Sequence, residues 1–221
     1  MLEAPRAKVA GDHSFARQSR RVTIVDYQMG NQQSVANAFE GLGCEGLVSN
    51  RPEDIAKADR IILPGVGAFG EGMEHLKSLH LDELIIEQVV EKKKPFLGIC
   101  LGMQILADLS HEFGVHEGLG LIPGEVKRLK AEGLLLPHVG WNDIKVQRKS
   151  ELLEGIVTGS DFYFVHSFHF AVKSPGHAAA TCEYGEEFVA IVEKDNIFGV
   201  QFHPEKSQKA GRRLLENFLK L

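Results

Sequence analysis

The stretch Pro95-Phe-Leu-Gly-Ile-Cys-Leu-Gly102 decides the fold predicted for this chain. Its first five residues are apolar or small and predict a buried strand, and the residues from Leu101 to about Leu109 predict a helix. At the junction, Gly98-Ile-Cys-Leu-Gly102 has the G-x-nucleophile-x-G form of a nucleophile elbow, with Cys100 in place of serine. The stretch therefore predicts a strand-to-helix unit that carries a reactive side chain on its turn.

Both glycines of this turn are predicted to be structural requirements, because a side chain at either one would collide with neighbouring backbone. The turn places Cys100 at a helix N-terminus, where the helix dipole favours the thiolate that attacks carbonyl carbons. The backbone N–H of Leu101 would then face a developing oxyanion. The alternative for a lone cysteine is a small core residue, and Cys44 and Cys182, which lack such a turn, keep that interpretation.

Strands and helices alternate outward from the elbow, which is typical of βαβ units around a parallel sheet. The first half predicts strands at 22–26, 47–49, 60–63 and 95–99, with helices at 34–42 and at 71–91, the latter in two pieces that break near His80. The second half predicts strands at 125–129, 141–146, 162–165, 177–183, 188–193 and 197–202, and a last helix at 207–219 capped by Ser207. The predicted fold is α/β: a flavodoxin-like open sheet, mostly parallel and flanked by helices, with extra antiparallel strands in the second half.

The composition is that of a soluble globular protein, with 221 residues of which 43% are hydrophobic and 25% charged. A net charge of −5 argues against a general nucleic-acid-binding protein, which carries a basic excess. No apolar run reaches the ~18 residues of a membrane span. The three cysteines form no CxxC pair, which disfavours a disulfide-rich secreted protein or a zinc ribbon and predicts a cytoplasmic location.

Residues 1–21 differ from the rest of the chain, with five basic against two acidic residues and no apolar periodicity. A signal peptide would need an apolar stretch that is missing here. An Arg-rich transit peptide is one alternative, and a flexible extension or misassigned start codon is the favoured one. We therefore predict a disordered extension over residues 1–21 and a single domain over residues 22–221.

A thiolate nucleophile needs an imidazole base, and the imidazole needs a partner that fixes its tautomer. The run Gly199-Val-Gln-Phe-His-Pro-Glu205 supplies both. His203 follows an apolar strand and is predicted at the carboxyl edge of the sheet, where ligands of α/β proteins bind. Pro204 fixes the backbone there, so that Glu205 can turn back and accept a hydrogen bond from the ring. The sequence therefore predicts a triad of Cys100, His203 and Glu205.

The other histidines predict no metal site. His166 and His169 are three apart on a predicted strand and so point to opposite faces, which is poor geometry for one metal ion. His138 lies in a predicted loop and is a weaker candidate base than His203. Four further histidines lie on or beside polar helical stretches and are predicted to be solvated: His75, His80, His111 and His116.

A second glycine-rich segment, Gly65-Val-Gly-Ala-Phe-Gly70, matches the G-x-G-x-x-G fingerprint of dinucleotide-binding proteins. However, it follows the third predicted strand with Pro64 between them, and no acidic residue ends a following strand about twenty positions later. Such a loop can also present backbone N–H groups to an oxyanion. Since Cys100 and His203 are predicted at the same sheet edge, the oxyanion interpretation is favoured.

Together these motifs resemble those of class I glutamine amidotransferases, whose elbow cysteine and late His-Pro-Glu segment carry glutaminase chemistry. Over residues 22–221 the chain is more narrowly similar to the glutaminase subunits of imidazole glycerol phosphate synthases. The wider class shares the elbow, whereas the segment Pro137-His-Val-Gly-Trp-Asn142 is more specific to these subunits. The other stretches that carry the resemblance are Pro64-Gly-Val-Gly67, Phe96-Leu-Gly-Ile-Cys-Leu-Gly-Met-Gln104, Phe164-Val-His-Ser167 and Gln201-Phe-His-Pro-Glu-Lys-Ser207.

The resemblance implies that L-glutamine is hydrolysed through a γ-glutamyl thioester, without a metal or an organic cofactor. It makes Cys100 the nucleophile, His203 the base and later the acid, and Glu205 the residue that orients the imidazole. The implied oxyanion donors are the backbone N–H groups of Val66, Gly67 and Leu101, and the implied glutamine-binding residues are Gly67, Gln104 and Ser167.

The resemblance also implies a partner and a heterodimer. In this family the glutaminase idles until a β/α-barrel cyclase of histidine biosynthesis docks over the site and receives ammonia through an internal channel. From residue type alone, a lone Trp or Lys would instead be assigned to core packing or to a solvated charge. The residues that match positions of the docking face are Asn31, Trp141, Tyr163 and Lys206.

Two departures from the family pattern leave the pathway open. Gln28 stands where the family has glycine after the first-strand tyrosine, and Phe168-His-Phe170 replaces more usual tyrosines. With Asp161-Phe-Tyr-Phe164, the latter segment is similar to a paralogous glutaminase that supplies surface-polysaccharide biosynthesis. The remaining alternatives are a non-catalytic regulatory subunit of the same fold, which the intact triad disfavours, and a stand-alone cysteine hydrolase.

Overall fold

The computed structural model describes residues 21–221, so the extension predicted at 1–21 lies outside the described residues except for Arg21. In chain order, the strands and helices are β1 (Val22–Val25), α1 (Gln32–Glu40), β2 (Gly46–Ser49), α2 (Pro52–Lys57), β3 (Arg60–Gly65), α3 (Phe69–Ser78), α4 (Leu81–Ile86), β4 (Phe96–Cys100), α5 (Leu101–Gln104), β5 (Leu109–Ser110), β6 (His116–Glu117), β7 (Gly124–Arg128), β8 (His138–Val146), β9 (Ser160–His166), β10 (Phe168–Val172), β11 (Ala178–Tyr184), β12 (Glu186–Lys194), β13 (Ile197–Val200) and α6 (Gln208–Phe218). A π-helical turn at Glu87–Glu91 continues α4, and short 3₁₀ turns lie at Glu151–Leu153, Pro175–His177 and Pro204–Lys206.

Five parallel strands form the half of the main sheet that carries the elbow. They lie in the order β2-β1-β3-β4-β13, which is the 2-1-3-4-5 order of flavodoxin-like proteins. Every residue of β1, β3, β4 and β13 is buried, as in parallel sheets covered on both faces. Neighbouring residues Ile24 and Val25 accordingly belong to two different apolar clusters, one with α1 and α6 and the other with α3 and α4.

The same sheet continues with four antiparallel strands, in the order β12-β11-β8-β9, so that β2 and β9 are its two edges. Tight connections make this half possible: Gly185, with a φ of 75°, joins β11 to β12 in a single residue. The predicted α/β fold is present, with five of the nine strands parallel and the antiparallel strands in the second half of the chain.

A second, smaller sheet packs beside the first. Its four short strands lie in the order β10-β7-β5-β6, and β10 contacts β12 of the main sheet. The chain passes from the main sheet to this one at Ser167, which separates β9 from β10. The sequence pattern predicted a strand at 125–129 but no separate sheet.

The helix after the elbow is much shorter than predicted. It spans Leu101–Gln104 instead of reaching Leu109, where β5 begins. The carbonyl oxygens of residues 105, 106 and 107 accept hydrogen bonds from the backbone N–H groups of residues 119, 122 and 120 instead of continuing a helical ladder. The predicted length was therefore wrong because tertiary partners satisfy these carbonyl groups.

Other elements agree with the pattern to different degrees. The predicted break near His80 is present, since His80 has a φ of 54° between α3 and α4. Helix α2 was not predicted. Ser207 precedes α6 as predicted, but its hydroxyl donates to the carbonyl of His203 and accepts from the N–H of Tyr163 instead of capping the helix.

No helix within residues 21–221 is both long enough and apolar enough to cross a membrane. The last helix, α6, packs one apolar side against the core. Leu214, Leu215 and Phe218 are buried on one side of it, and Ala210 is partly buried against the same cluster.

Candidate active site

The elbow predicted at Cys100 is present at the carboxyl edge of the parallel strands. Cys100 is the last residue of β4 and has the strained backbone angles φ 54° and ψ −107°. A Cβ atom at Gly98 would collide with the carbonyl of Gly102, and one at Gly102 would collide with the carbonyl of Leu63. The two glycines therefore allow β3, β4 and α5 to pack closely enough to hold the cysteine in this conformation.

The sulfur of Cys100 reaches the wall of a cavity, although the residue is only 6% exposed. It lies 3.8 Å from the carbonyl oxygen of Val165 and 3.8 Å from Nε2 of Gln201, which donates to it. The imidazole of His203 lines the same cavity, and its interaction with the Cys100 sulfur is one of the causes that raise the pKa of the ring. The thiol is therefore accessible from the cavity and close to a base. A thiol sealed in the interior, or one far from a base, could not act as the nucleophile.

His203 and Glu205 contact each other as the sequence predicted, with 2.8 Å between Nδ1 and Oε1. Both side chains are buried, with exposed fractions of 1% and 0%. Since Nδ1 donates to Glu205, the other ring nitrogen is left to face the sulfur of Cys100. Burial favours the neutral ring, but the hydrogen bonds to Cys100 and Glu205 together outweigh it and raise the pKa of His203 to about 10.

Asn31 reaches this pair from the start of α1. Its Nδ2 donates to Oε1 of Glu205 at 2.7 Å and lies 3.4 Å from Nδ1 of His203. Burial opposes ionisation of Glu205, but the hydrogen bonds from His203 and Asn31 lower the pKa of its carboxyl group. The resemblance placed Asn31 at a docking face, whereas its side chain here contacts the predicted triad.

A cavity of ≈ 280 Å³ opens beside the cysteine and the histidine, a size that suits one amino acid. Cys100 and His203 share its wall with Lys206 and with Glu112, which sequence analysis did not single out. The remaining predicted oxyanion and glutamine-binding residues all line the same cavity: Val66, Gly67, Leu101, Gln104 and Ser167. The fold therefore brings together segments that lie up to 140 positions apart, from Val66 to Lys206.

The predicted oxyanion segment is held by the loop that follows β1. The backbone N–H of Val66 donates to the carbonyl oxygen of Met29 at 3.0 Å and is therefore already occupied. Gly67 follows with a φ of 112°, and a Cβ atom there would lie 2.9 Å from the Met29 side chain. An oxyanion role for the Val66 N–H requires its hydrogen bond to Met29 to open.

Gln104 and Glu112 give the cavity acceptor groups. Nε2 of Gln104 donates to the carbonyl of Phe168 at 2.9 Å and to Oε1 of Gln201 at 3.1 Å, so both of its hydrogens are used. Its own Oε1 therefore remains as an acceptor for a ligand. The carboxylate of Glu112 accepts the backbone N–H of Phe69 at 2.7 Å, which positions a negative charge at the cavity.

An exposed apolar face lies on the edge hairpin beside this cavity. Trp141 and Tyr163 are cross-strand partners on β8 and β9, with ring centroids 6.0 Å apart. Val139 pairs with Val165 on the same two strands, and both valines are exposed, as is Trp141 at 48%. These four residues are called the β8–β9 face below, and Trp141 and Tyr163 are two of the residues predicted at a docking face.

Four further polar residues were missed or misplaced by sequence analysis. Gln201, which contacts the Cys100 sulfur, lies two residues before His203, so strand alternation could have placed both side chains on one side. His138 is not in a loop but begins β8, where it is buried against His166. His166 and His169 lie on different strands of different sheets, so the prediction of one shared strand was wrong.

The other two cysteines lie away from the cavity. Cys182 is fully buried on β11, and its burial raises the pKa of the thiol to about 12. Cys44 is partly buried and packs against the core near the end of α1. Over the described part of the chain, no group of three or more His, Cys, Asp or Glu side chains could hold a metal ion.

Comparison with solved structures gives the class to which this fold belongs. A crystal structure of a glutamine amidotransferase has a TM-score of 0.71 and 21% sequence identity, over 90% of this chain and 97% of that chain. The structure of PurLQS from Thermotoga maritima has a TM-score of 0.70 and 21% identity, over 91% of this chain and 98% of that one. At such identities the likeness concerns the fold, which is the glutamine amidotransferase fold.

The chain belongs to the class-I glutamine amidotransferase family, because the profile described as "Glutamine amidotransferase class-I" matches residues 23–221. A relative from Campylobacter jejuni (strain RM1221), "Imidazole glycerol phosphate synthase subunit HisH 1", is 48% identical over 201 residues, which cover 90% of this chain and 100% of that protein. "Imidazole glycerol phosphate synthase subunit HisH" from Aquifex aeolicus (strain VF5) is 47% identical over 199 residues, which cover 90% of this chain and 95% of that protein.

Proposed function

We propose that this chain is the glutaminase subunit of an imidazole glycerol phosphate synthase. It would hydrolyse L-glutamine and supply the ammonia to a cyclase partner in histidine biosynthesis. The observation that carries this proposal is that Cys100 lines one small cavity together with His203, whose ring is hydrogen-bonded to Glu205. The names of both relatives given above support this synthase over the surface-polysaccharide alternative.

The first half of the reaction uses the sulfur and the imidazole as a pair. His203 takes the thiol proton of Cys100, and the raised pKa of the ring supports an imidazolium beside a thiolate. The thiolate attacks the γ-amide carbon of glutamine, a C–S bond forms, and the carbonyl electron pair moves to the oxygen. We assign the stabilisation of this oxyanion to the backbone N–H of Leu101, at the start of α5.

The second half releases both products and restores the enzyme. The C–N bond breaks as His203 donates its proton to the leaving nitrogen, which gives ammonia and a γ-glutamyl thioester on Cys100. His203, neutral again, then takes a proton from water, and the hydroxide attacks the thioester carbon. The thiolate leaves, glutamate departs, and Glu205 holds Nδ1 of the ring throughout. Glutamine and water are thus converted to glutamate and ammonia without a metal or an organic cofactor.

The charges of the cavity suit an amino acid. Glu112 places a carboxylate where the α-ammonium group of glutamine can pair with it, and Oε1 of Gln104 can accept a further hydrogen bond. Ser167 lies on the same wall, between β9 and β10. We assign these residues, with Gly67, to substrate binding.

The partner is assigned to the surface around the cavity mouth. The β8–β9 face offers four apolar side chains next to the cavity, and Lys206 lies on its wall. A β/α-barrel cyclase that covers this face would close the cavity and receive the ammonia before it reaches solvent. Apolar patches rimmed by polar residues are typical of such interfaces.

The test is glutamate release from L-glutamine, measured for the chain alone and with its cyclase. We expect weak activity alone, a large rise with the cyclase, and a loss of at least about 10³-fold in the Cys100→Ala variant. Cys44→Ala, away from the cavity, is the matched control and should keep the wild-type rate. An undiminished rate in Cys100→Ala would refute the nucleophile, and vigorous turnover that the cyclase leaves unchanged would refute the partner.

A further inference from the structure

A chain of hydrogen bonds, buried at its centre, connects the β8–β9 hairpin to the cavity wall. Nδ2 of Asn142 lies 3.3 Å from Nε2 of His138, and Nδ1 of His138 lies 3.0 Å from Nε2 of His166. Nδ1 of His166 in turn lies 2.9 Å from the carbonyl oxygen of Phe168. Since Phe168 and His166 both line the cavity, the chain ends at the site.

The direction of every hydrogen bond in this chain is determined. Burial lowers the pKa of His138 to about 4 and that of His166 to about 3, so both rings are neutral at neutral pH. A carbonyl oxygen can only accept, so Nδ1 of His166 carries the proton and its Nε2 accepts. His138 must then donate from Nδ1 and accept at Nε2 from Asn142. Asn142 uses its other amide hydrogen on the carbonyl of Glu183, at 2.9 Å.

The carbonyl of Phe168 joins this chain to the groups around the nucleophile. Its oxygen accepts a second hydrogen bond, from Nε2 of Gln104 at 2.9 Å, which uses both of its lone pairs. The same Nε2 donates to Oε1 of Gln201, whose Nε2 donates to the sulfur of Cys100. Five side chains and one carbonyl thus form a continuous path from β8 to the thiol.

The hydrogen bond from His166 to Phe168 also spans Ser167, the residue at which the chain leaves the main sheet. It therefore constrains the crossing between the two sheets, together with the bond from the N–H of Leu129 to the carbonyl of Ser167 at 2.9 Å. His138 is fixed in its own place by stacking on Phe164 and Tyr184, with ring centroids 4.9 Å and 4.0 Å away.

We propose that His138 and His166 are positioning residues for glutamine binding, which orient Ser167 and Gln104 through the carbonyl of Phe168. This inference rests on the proposed glutaminase function. The His203–Glu205 pair is held separately, by Asn31, so removal of the histidine chain should affect substrate binding more than the chemical step. A role limited to core packing would predict no such difference.

The first test reads the tautomers directly in the wild-type full-length chain. With ¹⁵N-labelled histidine, long-range ¹H–¹⁵N NMR distinguishes a ring protonated on Nδ1 from one protonated on Nε2. We expect both His138 and His166 in the Nδ1–H neutral form, which is the less common form of free histidine. Protonation of either ring on Nε2, or on both nitrogens at neutral pH, would overturn the proposal.

The second test compares two substitutions at one position. His138→Phe keeps the stacking but removes both hydrogen bonds, and we expect the KM for L-glutamine to rise about ten-fold while kcat falls less than three-fold. His138→Asn keeps a donor near the Nδ1 position and should remain within about three-fold of the wild-type KM. If His138→Phe does not fold, the pair His166→Phe and His166→Asn replaces it, with the same expectation.

His169 provides the matched control. It is buried on β10 and packs edge-on to Phe188, as His138 does, but it lies outside the hydrogen-bond chain. His169→Phe should therefore keep the wild-type KM. Equal effects of His169→Phe and His138→Phe, or equal effects of His138→Asn and His138→Phe, would overturn the proposal. A wild-type chain that does not hydrolyse glutamine, with or without its cyclase, would refute the proposed function instead and leave the NMR test to decide the tautomers.

Discussion

Glu205 must stay ionised in a fully buried position in order to hold the imidazole of His203. A buried carboxylate is stable only when hydrogen bonds compensate for the loss of water. Oε1 receives two of these bonds, from Nδ1 of His203 and from Nδ2 of Asn31. Because Asn31 lies 174 positions before Glu205, the charge of the triad depends on a residue of the first loop.

Substitution of Asn31 tests this dependence. Asn31 has a φ of 70°, which glycine and aspartate also tolerate. Asn31→Gly should lower kcat about ten-fold, or ~1.4 kcal/mol, because Glu205 loses the hydrogen bond from Asn31. Asn31→Asp should lower it further, since a second carboxylate would raise the pKa of Glu205. Steady-state glutamine hydrolysis measures kcat for both Asn31 variants. Gln33→Ala, on the exposed side of α1, is the control. A wild-type kcat in Asn31→Asp would show that Asn31 is not needed to keep Glu205 ionised.

The β4–α5 elbow depends on contact between backbones, which local sequence specifies well. Gly98 and Gly102 were predicted to be required because a side chain would strike neighbouring backbone, and the collisions with the carbonyls of Gly102 and Leu63 confirm this. The end of α5 was not predictable in the same way. Ile105, Leu106 and Ala107 are buried on all sides, so their apolar pattern continues past the point where the helix stops.

Gly102→Ala should destabilise the elbow. The new Cβ atom would meet the main-chain carbonyl of Leu63 in β3, which cannot move without distorting the sheet. We expect a loss of about 1–3 kcal/mol or more in the free energy of unfolding, measured by urea denaturation. Gly41→Ala, at the end of α1 with a φ of −61°, should change stability by less than about 1 kcal/mol. Equal stability of the two variants would show that the elbow tolerates a side chain.

Across the whole molecule, the sequence predicted which strands carry the site and that Glu205 contacts His203, but not the contacts made by distant loops and by the antiparallel half of the sheet. The expectation that Cys100 and His203 share one sheet edge is confirmed, since β13 pairs with β4 in register from Ile197 with Phe96 to Val200 with Ile99. Alternating strands and helices were sufficient for that. The contacts of Asn31 with Glu205 and of His138 with His166 depend instead on the exact path of loops and on the antiparallel half, where no local pattern fixes the neighbours.

The two edges of the main sheet differ in their surroundings, which bears on where a partner binds. The β9 edge carries the β8–β9 face beside the cavity, whereas the β2 edge lies at the far end of the nine strands. Trp141 on β8 and Leu47 on β2 are equally exposed, at 48% each. Exposure alone therefore does not indicate which of the two residues contacts a partner. The position of Trp141 beside the cavity favours Trp141.

Trp141→Glu should weaken binding of the cyclase, and Leu47→Glu should not. A tryptophan at the centre of an apolar interface commonly contributes at least about 2 kcal/mol, which corresponds to about thirty-fold in Kd, and a buried glutamate adds a desolvation penalty. Calorimetric titration with the cyclase gives Kd for each variant, and circular dichroism checks that each remains folded. An unchanged Kd for Trp141→Glu, or an equal loss of affinity for Leu47→Glu, would show that the cyclase does not bind the β8–β9 face. The proposal that the partner covers the mouth of the cavity would then be wrong.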